Sequence, residues 1–277
     1  MIFIEHYNGF LRKSFTNRII LNIHLDSHIF THYFEILLAG KYDYIESNLL
    51  KLKQRIKTIC DNAGRDYKEI YVIAVSKTFS SEVISSALDF NQLDFGENRV
   101  QELVSKEEEL KDRIIHWHLV GHLQTNKVKY VIPFVFLIHS VDSLKLAQKI
   151  QTEAAKINRI IKCLIQVNTS GEDQKSGCEV QHVLKLIKEI SGLENVKIKG
   201  LMTISQMMEN EKDENERKIV RENFRALRDL FNEIKSHSIE NVDMKYLSMG
   251  MTADYDIAIE EGANMIRIGT AIFGQRN

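Results

Sequence analysis

A lysine closes the apolar run Tyr71-Val-Ile-Ala-Val-Ser-Lys77. Lysine is almost never fully buried without a partner, so an amine carried to the end of a buried strand stands at the mouth of an apolar site. There its pKa is depressed, and the free base can attack an aldehyde to form a Schiff base. The ordinary alternative is a salt-bridged core lysine. Far along the chain, Met265-Ile-Arg-Ile-Gly-Thr-Ala-Ile-Phe-Gly274 has the strand-then-glycine pattern of a phosphate cradle. Freed N–H groups at Gly269-Thr270, and along Ser248 to Thr252 with a helix starting near Thr252, would attract a phosphate dianion. The same residues also suit plain βα loops, where Gly and Ser/Thr supply turns and helix caps. A Schiff-base lysine together with a phosphate cradle points to an aldehyde-bearing phosphorylated cofactor, pyridoxal phosphate (PLP).

Three histidines, His116, His118 and His122, invite a metal reading, and the first two share a strand face. Zinc would need a third ligand fixed by the backbone and acceptors behind each imidazole. We expect no metal site and read these histidines as strand packing beside Trp117. The acidic run Glu107 to Glu109 and the mixed charges of 209–218 read as solvated helix faces.

The elements that must position these groups alternate along the chain. Candidate strands fall at 70–76, 93–96, 116–121, 136–141, 162–168, 198–204, 245–249 and 265–269. Several are apolar at nearly every position, as strands covered on both faces should be. Between them lie helical patterns: Val220, Phe224, Leu227, Phe231 and Ile234 share one face, and Val83, Ile84, Ala87 and Leu88 do so on a shorter helix. This alternation predicts an α/β fold, a (β/α)₈ TIM-type barrel, with an open doubly wound sheet as the competitor. Active sites of such barrels sit at the C-terminal strand ends, often with phosphate after strands seven and eight. Lys77, Ser248, Gly250, Arg267 and Gly269 would then meet at one mouth. An extra N-terminal helix is expected first, with Ile45, Leu49, Leu52, Ile56 and Ile59 on one face. Asp43 and Glu46 have capping-box spacing, and Gly64 suits the C-terminal stop. This helix would pack on the barrel wall or plug its lower end.

A net charge of −1 gives no electrostatic argument for nucleic acid or an anionic membrane. Cys60, Cys163 and Cys178 lack metal-type spacing and read as reduced cytosolic thiols, so a cytoplasmic location is expected. No apolar run is long enough to span a bilayer. Residues 1–42 stand apart from 43–277, the single barrel domain. They carry Arg12, Lys13 and Arg18 with no acid between Glu5 and Asp26. An organellar presequence, a poorly ordered extension and translated upstream sequence all suit this segment, and it is left unassigned.

From about residue 44 to 277 the chain resembles the pyridoxal phosphate homeostasis protein family, whose barrel is similar to the N-terminal domain of alanine racemase. The resemblance is carried in order by Ala74-Val-Ser-Lys-Thr78, Phe95-Gly-Glu-Asn98 with Val100-Gln-Glu102, and Trp117-His-Leu-Val-Gly121 with Leu123-Gln-Thr-Asn-Lys127. Then follow Val167-Asn-Thr-Ser170 with Lys175-Ser-Gly177, Gly200-Leu-Met-Thr203, Leu247-Ser-Met-Gly-Met-Thr252 and Arg267-Ile-Gly-Thr-Ala-Ile-Phe-Gly274. The chain departs from the family at Phe79-Ser80, His122 and Ser205, where prolines are usual, so the loop rims differ.

The resemblance implies a fold-type III PLP-binding barrel in which Lys77 forms the internal aldimine. Ser248, Gly250, Met251, Thr252, Gly269 and Thr270 would line the phosphate pocket. Asn98 and Met202 would flank the ring, Arg267 would face the pyridine nitrogen, and Lys175 matches a lysine near the cofactor. A guanidinium only donates and stays charged, so Arg267 would keep that nitrogen unprotonated and the cofactor a weak electron sink. A strand-end salt bridge is the plainer role for the same arginine. The implied function is intracellular PLP homeostasis, with PLP as ligand, apo PLP-dependent enzymes as receivers, and a monomer or weak homodimer. No catalytic residue is assigned. A racemase-like PLP enzyme is the alternative, and it would need acid/base groups on both faces of the substrate. A cofactor-free lysine aldolase barrel is a third reading.

Overall fold

The computed structural model describes residues 42–172 and 176–275. The expected extension, Tyr42 apart, and Lys175 lie outside the described residues. Eight parallel strands close into a barrel. They are β1 (Tyr71–Val75), β2 (Asp94–Glu97), β3 (His116–Leu119), β4 (Leu137–Val141), β5 (Ile161–Asn168), β6 (Val196–Met202), β7 (Val242–Ser248) and β8 (Met265–Ile268). Each pairs with the next, and β8 returns to β1 in the register Tyr71↔Met265 to Ala74↔Ile268. That last pairing rules out the open sheet. A two-residue strand, Cys178–Glu179, pairs only with the end of β5.

The helices are α1 (Asp43–Asn62), α2 (Ser81–Asp89), α3 (Val100–Glu109), α4 (Val128–Val131), α5 (Leu144–Ala155), α6 (Val180–Ser191), α7 (Glu214–Ser236), α8 (Tyr255–Glu260) and α9 (Thr270–Phe273). The apolar stripes read from the sequence are buried, except that at the end of α1 Ile59 is only partly so and Cys60 is buried instead. Val220, Phe224, Leu227, Phe231 and Ile234 of α7 all face the core, and Asp213 caps that helix by accepting the N–H groups of Asn215 and Glu216. Emptying one such site, Phe224→Ala for example, costs about 3–5 kcal/mol.

At α1 the structure corrects one expectation. Tyr42 occupies the N-cap and makes no side-chain cap bond, so Asp43 and Glu46 form no capping box. Both carboxylates instead lie in the first turn, where they meet the positive end of the helix dipole. Gly64 closes the helix at φ +66°. The helix packs on the barrel's outer wall: Asn48 donates to the Ile272 carbonyl, Tyr44 to that of Phe273, and Arg65 to those of Ile259 and Ala263. It therefore braces α8 and α9, the helices that follow β7 and β8.

β4 is buried at every position and β7 alternates at its start, matching strands covered on both faces and on one. Inside the barrel Ile73, Leu137, Leu164, Met202, Tyr246 and Met265 form an apolar layer. His118, His139, Ser248 and Arg267 are buried as well. A barrel interior is ordinarily filled by branched aliphatic side chains, so this polar set calls for a chemical explanation.

Candidate functional site

Lys77 lies two residues past the end of β1, in a turn closed by the Phe79 N–H on the Ser76 carbonyl at 3.0 Å. Thr78 follows at φ +71°, where a β-branched residue is a genuine outlier. Such a conformation persists only when its surroundings over-determine it. Here the Thr78 N–H donates to Glu102 Oε1 at 2.5 Å. Lys106 Nζ donates to the Ser76 carbonyl (2.8 Å), Glu97 Oε1 (2.7 Å) and Glu102 Oε1 (2.6 Å). Ser76 Oγ adds a bond to Glu97 Oε1 at 2.7 Å. Glu97 is 0 % and Lys106 5 % exposed, so both neighbours of Lys77 are gripped by a buried ionic knot. Burial pushes the Glu97 carboxyl up, against the opposing pull of Lys106 and Ser76. Lys106 is thus a buried, salt-bridged lysine of this region.

A cavity of about 700 Å³ opens at the C-terminal strand ends, and Lys77, Asn98, Met251, Thr252, Arg267, Gly269 and Thr270 line it. Seven of the ten expected residues therefore share one wall. Asn98 reaches it because Gly121 lets the backbones close up; a Cβ on Gly121 would stand 2.2 Å from the Asn98 carbonyl oxygen. The other three expected residues are placed behind the wall. Met202 belongs to the interior apolar layer. Ser248 is fully buried, and its Oγ accepts from Arg267 Nη1 at 2.8 Å. Gly250 turns the chain at φ +91°, where a Cβ would meet the Ala258 Cβ at 2.5 Å, and its carbonyl accepts the Arg267 N–H at 3.0 Å.

The loop after β7 differs from expectation in one respect. α8 starts at Tyr255 rather than near Thr252, because Asp254 folds back and accepts the Met251 N–H at 2.5 Å and the Ser205 hydroxyl at 3.1 Å. The Met251 amide is thus already committed to a carboxylate. Burial pushes the Asp254 carboxyl up against these hydrogen bonds. The remaining anion-facing candidates are Thr252-Ala253 and Gly269-Thr270, from the loops after β7 and β8.

Arg267 is 4 % exposed. Its Nη2 donates to the Thr203 carbonyl at 2.8 Å, opposite the Ser248 contact. Burial brings its pKa down to about 10 while Asp254 pulls the other way, so it remains a cation at neutral pH.

Gly121, His122, Gln166, Ser176, Ile204 and Ala253 also line the cavity. None was expected at the cofactor site: His122 was weighed only as a metal ligand, Gln166 sits within β5, and the others are loop residues that carry no periodic signal. The strand-packing role given to His116 and His118 is incomplete. His118 Nε2 lies 3.0 Å and His116 Nδ1 3.1 Å from Asp94 Oδ1, while His116 stacks on Phe136. The solvated reading of the acidic run also misses contacts: the Trp117 indole N–H donates to Glu107, and Glu109 accepts from Ser81 and Ser105.

The donor set suits PLP. An amine, a buried donor-only cation, two threonine hydroxyls and two glycine-bearing turns converge on one cavity, and among the described residues no carboxylate lines it.

Residues 47–277 match the family model of the alanine racemase N-terminal domain. The pyridoxal phosphate homeostasis protein of Aquifex aeolicus (strain VF5) is 44% identical over 228 residues, covering 82% of this chain and 96% of that protein. The protein of the same name from Pseudomonas aeruginosa is 36% identical over 233 residues, covering 84% and 96%. Among solved structures, PipY of Synechococcus elongatus PCC7942 with PLP bound aligns at TM-score 0.71 and 31% identity, covering 83% of this chain and 100% of that one. An alanine racemase of Clostridium difficile 630 shares the fold at TM-score 0.67 and 17% identity, with 84% of this chain and 57% of that one covered. The chain belongs to the pyridoxal phosphate homeostasis protein family, built on the barrel of the alanine racemase N-terminal domain.

Proposed function

We propose that this protein binds PLP and serves its intracellular homeostasis, with Lys77 as the amine that captures the cofactor reversibly as a Schiff base. The observation that carries this reading is that Lys77, Arg267 and the loops at Thr252 and Gly269-Thr270 line one cavity. Bound there, PLP supplies an aldehyde to the lysine amine. The chain's residues supply the rest: Thr252, Thr270 and the Gly269 turn hold the phosphate, Asn98 borders the ring, and Arg267 faces the pyridine nitrogen. Ser248 and Gly250 act from behind by holding Arg267, and Met202 supports the floor. Because Arg267 only donates, the ring nitrogen keeps its lone pair, which suits storage or limited proton chemistry. The relatives, named for homeostasis, support a carrier over an enzyme.

In this reading residues 43–277 are the PLP-binding domain and 1–42 an extension of it. The protein acts in the cytoplasm as a monomer or weak homodimer and passes PLP to apo PLP-dependent enzymes. Among the described residues no helix is long and apolar enough to cross a membrane. The test is a PLP titration followed by visible absorption, then mixing with a PLP-free transaminase. The expected result is a yellow protein that loses its colour as transaminase activity appears. A protein that stays colourless at millimolar PLP would overturn the binding reading.

A further inference from the structure

The polar row inside the barrel makes an unbroken path of hydrogen bonds. Arg267 Nη1 lies 2.8 Å from Ser248 Oγ, and Ser248 Oγ lies 3.1 Å from His139 Nδ1. His139 Nε2 lies 2.9 Å from His118 Nδ1, and His118 Nε2 lies 3.0 Å from Asp94 Oδ1. The five residues come from β8, β7, β4, β3 and β2. Asp94 opens β2, so it stands at the N-terminal rim of the parallel barrel, the face opposite the cavity.

The chemistry of the two ends orders every proton between them. A guanidinium can only donate, so Ser248 Oγ accepts from Arg267; the Asp94 carboxylate needs a donor from His118 Nε2, which with neutral rings sends the Ser248 hydrogen to His139 Nδ1. His139 must then carry its proton on Nε2 and give it to His118 Nδ1. His118 likewise carries its proton on Nε2 and gives it to the Asp94 carboxylate, which can only accept. An imidazolium at His118 would force His139 to the Nδ1 tautomer, and one at either histidine would turn the Ser248 hydrogen away from the row. Burial keeps both rings neutral, lowering the pKa of His118 and, more strongly, of His139. The hydrogen bond from His118 holds the Asp94 carboxyl below its usual range despite burial. The second imidazole on Asp94, His116, approaches the same oxygen from the partly exposed rim.

We propose that Asp94 is a positioning residue for Arg267. Its carboxylate fixes one proton direction through His118, His139 and Ser248, so that the serine hydrogen is held on His139 and Nη1 is the one donor of this row onto its oxygen. With Nη2 held on the Thr203 carbonyl, the guanidinium is clamped on both sides, and the way it meets the cavity is set from the far end of the barrel. In an Asp94→Ala protein His118 loses its acceptor. Moving the single proton of both imidazoles from Nε2 to Nδ1 relieves the orphaned His118 donor with no proton gained or lost; Ser248 Oγ then accepts from both Arg267 and His139, its own hydrogen loses its acceptor, and its hold on Nη1 weakens. Only the affinity readout below rests on the PLP reading.

Histidine side-chain ¹⁵N NMR on the PLP-free protein tests this. The wild type should show His118 and His139 neutral and protonated at Nε2 near pH 7. Asp94→Ala should move the proton of His139, two residues removed from the substitution, to Nδ1. A wild-type ring found protonated at Nδ1, or doubly protonated, overturns the proposal, and this arm stands even if Asp94→Ala does not fold. So does an unchanged His139 in folded Asp94→Ala. PLP binding should weaken about threefold to tenfold in the variant, the scale of one misdirected hydrogen bond. A switched tautomer with unchanged affinity would remove the positioning role. Failure of the wild type to take PLP would defeat the cofactor reading, while the tautomers would still decide the proposal.

Discussion

Replacing Lys106 by methionine tests whether the ionic knot beside Lys77 is structural. The substitution removes three donated bonds, to Ser76, Glu97 and Glu102. It leaves Glu97 fully buried, with Oε2 already lacking a hydrogen-bond partner. Breaking a buried pair by deleting one partner costs about 3–5 kcal/mol, a large share of the roughly 5–15 kcal/mol that holds a domain. The sign of its pH dependence follows from Glu97. Lys106 is what opposes the upward push of burial on that carboxyl, so in the variant the folded pKa rises further above its unfolded value. The folded state then binds more protons than the unfolded one, and stability falls as pH rises through the folded pKa. The deficit is therefore full above that pKa and shrinks toward the unfolded carboxylate value of about 4.3. Adding Glu97→Gln should recover more than half of it, since contacting residues do not add. Urea unfolding from pH 5 to 9 measures all three proteins. A Lys106→Met deficit below about 1 kcal/mol at pH 7, or one that ignores pH, would refute the argument.

Gly250→Ala must place a side chain at φ +91° and against Ala258. It should lose about 1–3 kcal/mol by thermal melting and weaken PLP binding through the displaced Arg267. Thr78→Gly should relieve the φ of +71° and raise stability by about 0.5–1 kcal/mol, while slowing capture of PLP as the Lys77 turn loosens. Asp254→Asn removes a carboxyl whose pKa burial has raised. The variant should be the more stable protein at pH 7, with the advantage gone below about pH 4, where both forms are neutral; melts at the two pH values decide.

The barrel was legible because its parts announce themselves twice. A strand such as Phe136 to Val141 is too apolar to be exposed, and the helix stripe from Val220 to Ile234 has only one way to be buried. The convergence of Lys77 with Gly269-Thr270 then followed from closure, since β1 and β8 are neighbours in any such barrel. Three things were not legible. Ser248 looked like a phosphate ligand because serine after a strand usually faces the loop; here the pleat turns it inward, onto Arg267 and His139. Nothing in the sequence pattern marked Asp254, whose fold-back onto Met251 starts α8 at Tyr255 rather than near Thr252. His139 was hidden in an apolar run, and its partner His118 is 21 residues away in sequence. Periodicity reports which face a residue occupies, but not which polar group waits on the other side of the barrel.

The central claim is that Lys77 is the amine that takes the cofactor. The most direct measurement incubates the protein with PLP, reduces it with borohydride and maps the modified peptide by mass spectrometry. The account predicts a single phosphopyridoxyl group on Lys77 and none on Lys106, whose ammonium is held by two carboxylates. A label on another lysine, or no label in a folded protein, would contradict it.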